Sequence, residues 1–256
     1  MRKPRISQKR LAREARVLAS LEHPGIAAIH DAGTLADGRP YYLMRLVRGI
    51  SLADPAFSGG RGERLRVFLR VCDAVAFAHA RGVVRRDVKP GNVMIGEYGD
   101  VVVLDWGVAK VLGTPDRESS SGAASSSDLD TADGVVVGTP GFMSPEQALG
   151  TGAVDARSDI YGLGALLRHL LNRSVQPRPL TAIMDRAMSV DPSARYQRVD
   201  DMAADVRRWL DAEPVSAYRE TLLERSLRLY ERNRTLLLLL AAYVVVRVAI
   251  LAWRGV

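Results

Sequence analysis

The sequence has one cysteine, Cys72, in 256 residues. No internal disulfide can form, and a reducing compartment is expected. Cys72 falls on the apolar face of a helical pattern and reads as a small buried apolar residue. Cysteine and the four histidines show no zinc-finger spacing, and no stretch interleaves aromatic with basic residues as RNA binders do. Nucleic acid is therefore not an expected partner, although the net charge is +7. No apolar run follows Met1-Arg2-Lys3-Pro4-Arg5, so no secretory signal is expected. Internal repeats are absent.

What is present is an ordinary globular balance, with 47% hydrophobic and 25% charged residues. The length allows one large domain or two small ones, with a real core. Residues 9–22 read as an amphipathic helix stopped by His23-Pro24-Gly25. Ile26 to His30 and Tyr41 to Val47 read as a hairpin around the turn Ala36 to Pro40. After a loop from Asp54 to Gly62, Leu65, Phe68, Leu69, Cys72, Val75, Ala76 and His79 fill one helical face, and Gly82 ends it. Val93 to Ile95 and Val101 to Leu104 read as short strands joined by a turn. Residues 113–134 are rich in Ser, Gly, Ala and Asp and bury too little apolar surface to order themselves. Helical patterns return at 156–172, 180–189 and 199–211. His23 and His79 read as structural, and Gly59-Gly60-Arg61-Gly62 as a flexible turn.

The informative stretch is Val84-Arg85-Arg86-Asp87-Val88-Lys89-Pro90-Gly91-Asn92, followed thirteen residues after Asn92 by Asp105-Trp106-Gly107. Asp87 and Lys89 share a loop after a helix. Asn92 opens one strand and Asp105 ends the next, and an antiparallel pair sets them side by side. A carboxylate and an amide oxygen there suit Mg²⁺, a hard cation that takes oxygen ligands. Asp87 can then accept a hydroxyl proton, and Lys89 can neutralise a transferring phosphoryl group.

Here the chain resembles bacterial serine/threonine protein kinases of the Hanks type, over roughly residues 9–211. The family's catalytic loop H-R-D-L-K-P-x-N reads Arg85-Arg86-Asp87-Val88-Lys89-Pro90-Gly91-Asn92 here, and its D-F-G reads Asp105-Trp106-Gly107. Its A-P-E reads Ser144-Pro145-Glu146, preceded by Gly138-Thr139-Pro140-Gly141-Phe142-Met143. The resemblance implies an α+β, bilobal kinase-like fold, mainly the helical C-lobe with a reduced N-lobe. It implies ATP and Mg²⁺ as cofactors and Ser/Thr of proteins as substrate. Asp87 resembles the catalytic base, Lys89 its companion lysine, and Asn92 and Asp105 the Mg²⁺ ligands. Glu14 matches the helix glutamate that pairs with the ATP-contacting lysine. Met44 resembles the residue gating the adenine pocket, with the backbone of Arg45 and Val47 on the adenine edge and Met94 beneath it. Thr139 matches the threonine that braces the catalytic loop, Asp159 the buried aspartate that ties that loop to a central helix, and Glu146 and Arg195 a structural ion pair. Arg86 is of the kind that grips a phosphate added to the segment 105–146. The Ser-rich insert 113–134 reads either as such an autophosphorylation segment or as a disordered loop.

The chain also departs from that pattern. No glycine precedes Gly25, and Lys3 and Lys9 lie too close to Glu14 to serve as the family's strand lysine. Arg85 replaces a histidine and Trp106 a phenylalanine. The region after the central helix is short, and the family's docking helix there is expected to be absent. An N-terminally truncated kinase domain over 1–212 is expected. The rival is a membrane-tethered pseudokinase that docks another kinase or its substrate, and a degenerate fragment is the third reading.

Residues 213–234 read as a basic juxtamembrane segment and 235–253 as a transmembrane helix, roughly 28 Å long. Arg247 costs about 2.5–3.5 kcal/mol at a bilayer centre, but the surrounding Leu, Ile and Val offset it and Arg247 can snorkel. Arg225, Arg228, Arg232 and Arg234 precede the run. They point to lipid headgroups and to a single-pass membrane protein with the kinase-like domain on the cytoplasmic side.

Overall fold

The computed structural model describes residues 21–37, 39–106, 110–111, 141–150, 154–171, 175–221 and 224–226, with isolated positions between 239 and 253. The helix expected over 9–22 falls mostly outside these residues; Leu21 and Glu22, which are described, are not helical. Glu14, Thr139 and the insert 113–134 also lie outside them.

The chain begins its described part with an antiparallel hairpin, β1 (Ile29–Thr34) and β2 (Pro40–Met44). Its register runs from Ile29 opposite Met44 to Thr34 opposite Pro40, with an irregularity between Ile29 and Asp31. The first strand starts three residues later than the apolar run suggested. Ile26 is instead drawn into the interior, where it bridges Val103 in parallel and is buried. A short strand β3 (Gly49–Ser51) follows and was not foreseen, because three residues carry no readable alternation.

The helix α1 (Arg61–Ala80) forms where the apolar spacing placed it. It ends as Arg81 N–H and Gly82 N–H bond back to Ala78 and His79 carbonyls, with Gly82 at φ +71°. A left-handed residue there suits glycine, which has no Cβ to clash. Its buried surface is wider than one stripe. Val67, Val71, Ala74 and Ala78 are buried beside Leu65, Phe68, Cys72 and Val75, because α1 packs on two later helices at once.

Next come β4 (Val83–Val84), a 3-10 turn at Pro90–Asn92, β5 (Val93–Gly96), β6 (Val101–Val103) and β7 (Lys110–Val111). β3, β5 and β6 make one three-stranded antiparallel sheet, and β4 pairs with β7. Four further helices are described: α2 (Pro145–Leu149), α3 (Ala156–Leu170), α4 (Arg178–Ala187) and α5 (Val199–Leu210). α1 lies against α3 and α5, and α4 closes against both. Phe68, Ile160, Leu163, Leu166, Leu180, Ile183 and Met202 meet in this interior with no exposure. At about 25 cal/mol per Å² of apolar surface removed from water, this helical layer supplies the main stabilisation. The hairpin β1–β2 is mostly exposed by contrast.

The α+β class with a dominant helical lobe stands. The membrane helix expected over 235–253 is different. Among the described residues no helix is long and apolar enough to cross a membrane. The positions described in that run are helical, and Tyr243, Val245 and Trp253 are exposed.

Candidate active site

β4 is fully buried, and the chain leaves it through Arg85 and Arg86 into the loop that carries Asp87. The loop is held from α3. Asp159, buried in the first turn of that helix, accepts from Arg85 N–H (2.8 Å) and Arg86 N–H (2.7 Å). His79, in the last turn of α1, lies 2.7 Å from the same carboxylate through Nε2. Arg86 sits at φ +70°, a left-handed conformation that costs a non-glycine residue about 1–2 kcal/mol. The two charge-assisted bonds to Asp159 offset that cost and fix the loop's direction. From the other side, Gln147 of α2 donates to the Arg86 carbonyl at 2.7 Å.

Asp87 is buried, and two polar groups converge on it. Lys89 Nζ lies 2.6 Å from Oδ2, and Asn92 Nδ2 donates to the same oxygen at 3.0 Å and to the Asp87 carbonyl at 3.2 Å. Oδ1 has no partner among the described residues. The Asn92 carbonyl accepts from Leu104 N–H at 2.8 Å, and Val93 is opposite Val103, so the chain reaches Asp105 directly beside Asn92. Asp105 is exposed and sits at φ +53°.

Because the Asn92 amide nitrogen faces Asp87, its oxygen is the atom left for a cation. With the Asp105 carboxylate that makes two hard oxygen donors, which fit Mg²⁺, an ion that keeps waters and takes phosphate oxygens. Among the described residues no group of three or more His, Cys, Asp or Glu side chains could hold a metal. A metal here would draw its remaining ligands from phosphate and water.

Arg85 is buried, and its Nη2 donates to the carbonyls of Leu104 and Asp105. Its guanidinium carbon lies 5.4 Å from the centre of the Trp106 ring. Burial lowers its affinity for the proton, opposed by the carboxylates of Asp159, Asp87 and Asp105. Trp106 is itself buried and donates through Nε1 to the Val103 carbonyl at 3.3 Å.

The residues expected around an adenine are placed as follows. Met44 ends β2 and is half-buried, and Met94 in β5 pairs with Val102 and Ser51. Arg45 N–H donates to the Ala28 carbonyl, so only the Arg45 carbonyl can face a ligand. Its side chain pairs with Asp100 at 3.1 Å, joining the strand end to the β5–β6 turn; Val47 is half-buried two residues on. Glu14 and Thr139 lie outside the described residues. An open cavity of about 900 Å³ lies elsewhere, among Tyr161, Arg168, Leu171, Thr181 and Met184, and shares none of these side chains.

Glu146 and Arg195 meet as a two-pronged pair, Oε1 to Nη1 and Oε2 to Nη2, both 2.8 Å. Arg195 also donates to the carbonyls of Ser189, Arg157 and Val190, so all five of its N–H groups have acceptors. Burial raises the Glu146 pKa, but bonds from Arg195 and Ser158 outweigh it and bring it down to about 2.

Sequence reasoning read His79 as structural without its Asp159 partner, and it missed Gln147 and the way Arg85 is seated. His79 is the last buried-side position of α1 before the loop, which is the one signal that pointed to it. Locally Gln147 is marked only as the far end of a Ser144–Gln147 capping box, and its loop partner is 61 residues away.

The protein kinase domain family model matches residues 1–235 of the chain. A probable serine/threonine-protein kinase of Streptomyces coelicolor is 35% identical over 244 residues, covering 82% of this chain and 34% of that protein. Serine/threonine-protein kinase PknD of Protochlamydia amoebophila is 34% identical over 80% of this chain and 26% of its own. Serine/threonine-protein kinase PknB of Mycobacterium tuberculosis is 33% identical over 81% of this chain and 37% of its own. The chain thus spans between about a quarter and just over a third of the length of these curated relatives.

Proposed function

The chain belongs to the protein kinase domain family, and on that premise we propose that it is a serine/threonine kinase that transfers the terminal phosphoryl group of ATP to a protein hydroxyl. The carrying observation is the convergence of Lys89 and Asn92 on one oxygen of Asp87 while the other faces no described group. The bonded oxygen fixes the carboxylate's orientation. The open one can accept the proton of an incoming Ser or Thr hydroxyl. Lys89, held beside Asp87, supplies positive charge where the transferring group gathers negative charge. Asn92 and Asp105 would hold Mg²⁺, which would supply positive charge against the phosphates of the nucleotide. Met44, Met94 and the Arg45 carbonyl would frame the adenine. Arg86 and the insert 113–134 remain the candidate regulatory pair.

The pseudokinase reading gains nothing from the relatives, whose names are all those of kinases. For placement, we infer a single-pass membrane anchor at 235–253 with the kinase-like part on the cytoplasmic side. Its support is the apolar run and the arginines before it. Retention of the full chain in carbonate-washed membranes, and its release when 235–256 are deleted, tests this; a fully washable parent overturns it.

The test of activity is ³²P transfer from ATP to a Ser/Thr peptide mixture by the full-length gene product. Asp87→Asn is expected to lower transfer by about 10²–10⁴-fold, the usual contribution of a positioned base. A silent parent, or a variant as active as the parent, overturns the proposal.

A further inference from the structure

The short helix α2 meets the rest of the lobe through two consecutive side chains that face different ways. Glu146 reaches Arg195 and the hydroxyl of Ser158. Gln147, about 100° further round the helix, reaches the loop of Asp87. Its amide is used at both ends. Oε1 accepts from the Ser144 N–H at 3.2 Å and from the buried Ser144 hydroxyl at 2.9 Å, while Nε2 donates to the Arg86 carbonyl at 2.7 Å. The opposite orientation would set N–H against N–H at Ser144 and oxygen against oxygen at Arg86, so the partners fix which end is which. Glutamine alone offers an acceptor and a donor on one planar group at this reach, since asparagine is one methylene shorter. The family's motif here ends at Glu146, so the resemblance assigns Gln147 no part.

The Arg86 carbonyl belongs to the peptide that runs into Asp87. The two peptides before it are held through their N–H groups, those of Arg85 and Arg86, by Asp159. The bond from Gln147 holds the third. Arg86 therefore lies between two held peptide planes, which defines both of its backbone angles at a left-handed φ of +70°. Turning the third plane would change the φ of Asp87 and swing its carboxylate away from Lys89 and Asn92. We propose that Gln147 is a positioning residue: it sets the Asp87 carboxylate by holding the Arg86–Asp87 peptide plane from α2, which Glu146 anchors to the lobe. The end of the segment 105–146 is thereby tied to the group that accepts the hydroxyl proton.

The catalytic side of this inference rests on the kinase reading, but the backbone side does not. Gln147→Glu separates the residue's two contacts. A glutamate keeps an acceptor for Ser144 and completes a Ser-x-x-Glu capping box, but it sets a carboxylate oxygen against the Arg86 carbonyl. Gln147→Met, of similar length, loses both contacts. The first measurement is hydrogen exchange in the full-length gene product at peptides covering 84–92 and 143–150, with a peptide from α5 as the control. Gln147→Glu is expected to speed exchange at 84–92 by about tenfold, the effect of one lost hydrogen bond, and to leave 143–150 and α5 as in the parent. Gln147→Met speeds exchange at both 84–92 and 143–150. The second measurement is steady-state phosphoryl transfer. Gln147→Glu lowers kcat by roughly 10²-fold and leaves KM for ATP within about threefold of the parent, because the base is misplaced and the nucleotide side is untouched.

Exchange at 84–92 within about twofold of the parent in Gln147→Glu overturns the proposal. So does a rise shared equally by 143–150, which makes Gln147 a helix cap only, or by the α5 control. An unchanged kcat in Gln147→Glu also overturns it. A parent silent in phosphoryl transfer overturns the kinase reading instead, and the exchange result still decides whether Gln147 holds the loop.

Discussion

Two arginines are equally buried in this molecule, and their surroundings differ in nearly every respect. Arg195 joins the start of α2 to the turn before α5. Every one of its donors is met, and a carboxylate balances its charge. Arg85 lies under the candidate metal site; among the described residues its guanidinium has two unmet donors and bonds only to carbonyls. Both lie near an aromatic ring, Tyr161 and Trp106 respectively. The contrast separates two uses of a buried charge. One holds elements together, and its loss leaves a partly buried Glu146 uncompensated. The other donates to two successive carbonyls, those of Leu104 and Asp105, beside the candidate metal site.

The largest expected effect follows from that difference. Arg195→Ala should destabilise the protein by about 3–5 kcal/mol in urea denaturation, because it strands a mostly buried carboxylate. A loss below about 1 kcal/mol would erase the distinction between the two sites. Next comes the acid response. The folded pKa of Glu146 is depressed from 4.5 to about 2, so the pair's stabilisation is present above the unfolded value and is lost as pH falls toward the folded one. Between pH 6 and pH 2.5, the parent should lose about 1–2 kcal/mol more than Glu146→Gln once solvent screening of the partly exposed carboxylate is allowed for, measured by denaturant midpoints at each pH. Equal slopes would contradict it.

Arg85→Met should leave global stability within about 1 kcal/mol of the parent, in the same urea experiment, since an apolar replacement removes an unmet buried charge. A loss as large as that of Arg195→Ala would make Arg85 a second brace. The smallest effect is expected at Arg207, which pairs with Asp73 between α5 and α1 with both side chains about half exposed. Arg207→Ala should cost about 0.2–1 kcal/mol and less in high salt.

The helices were readable because their apolar residues repeat at helical spacing, and the hairpin because turn residues separate two strand-like runs. The tie from Asp159 to the loop and the Glu146–Arg195 pair were expected from the family resemblance and are present as contacts. Residues that act through long-range packing were not legible. β3 and β7 are too short to show alternation, and each is a strand only because β5 or β4 offers a partner edge. The second buried stripe of α1, with Val67, Val71 and Ala74, depends on α3 and α5, which lie far along the chain. Asp205 is a similar case. It binds Tyr196, Arg208, Ser216 and the Ala217 N–H, holding the segment after α5 against the lobe, and nothing near it in sequence announces this.

The central claim is that Asp87 and Asp105 have separate duties, one toward the acceptor hydroxyl and one toward a nucleotide-bound cation. Calorimetric titration of Mg²⁺–ADP into the parent, Asp87→Asn and Asp105→Ala tests it most directly. The parent and Asp87→Asn should bind with affinities within about threefold of each other, while Asp105→Ala should lose the Mg²⁺-dependent part of binding. Equal binding by the parent and Asp105→Ala would contradict the account.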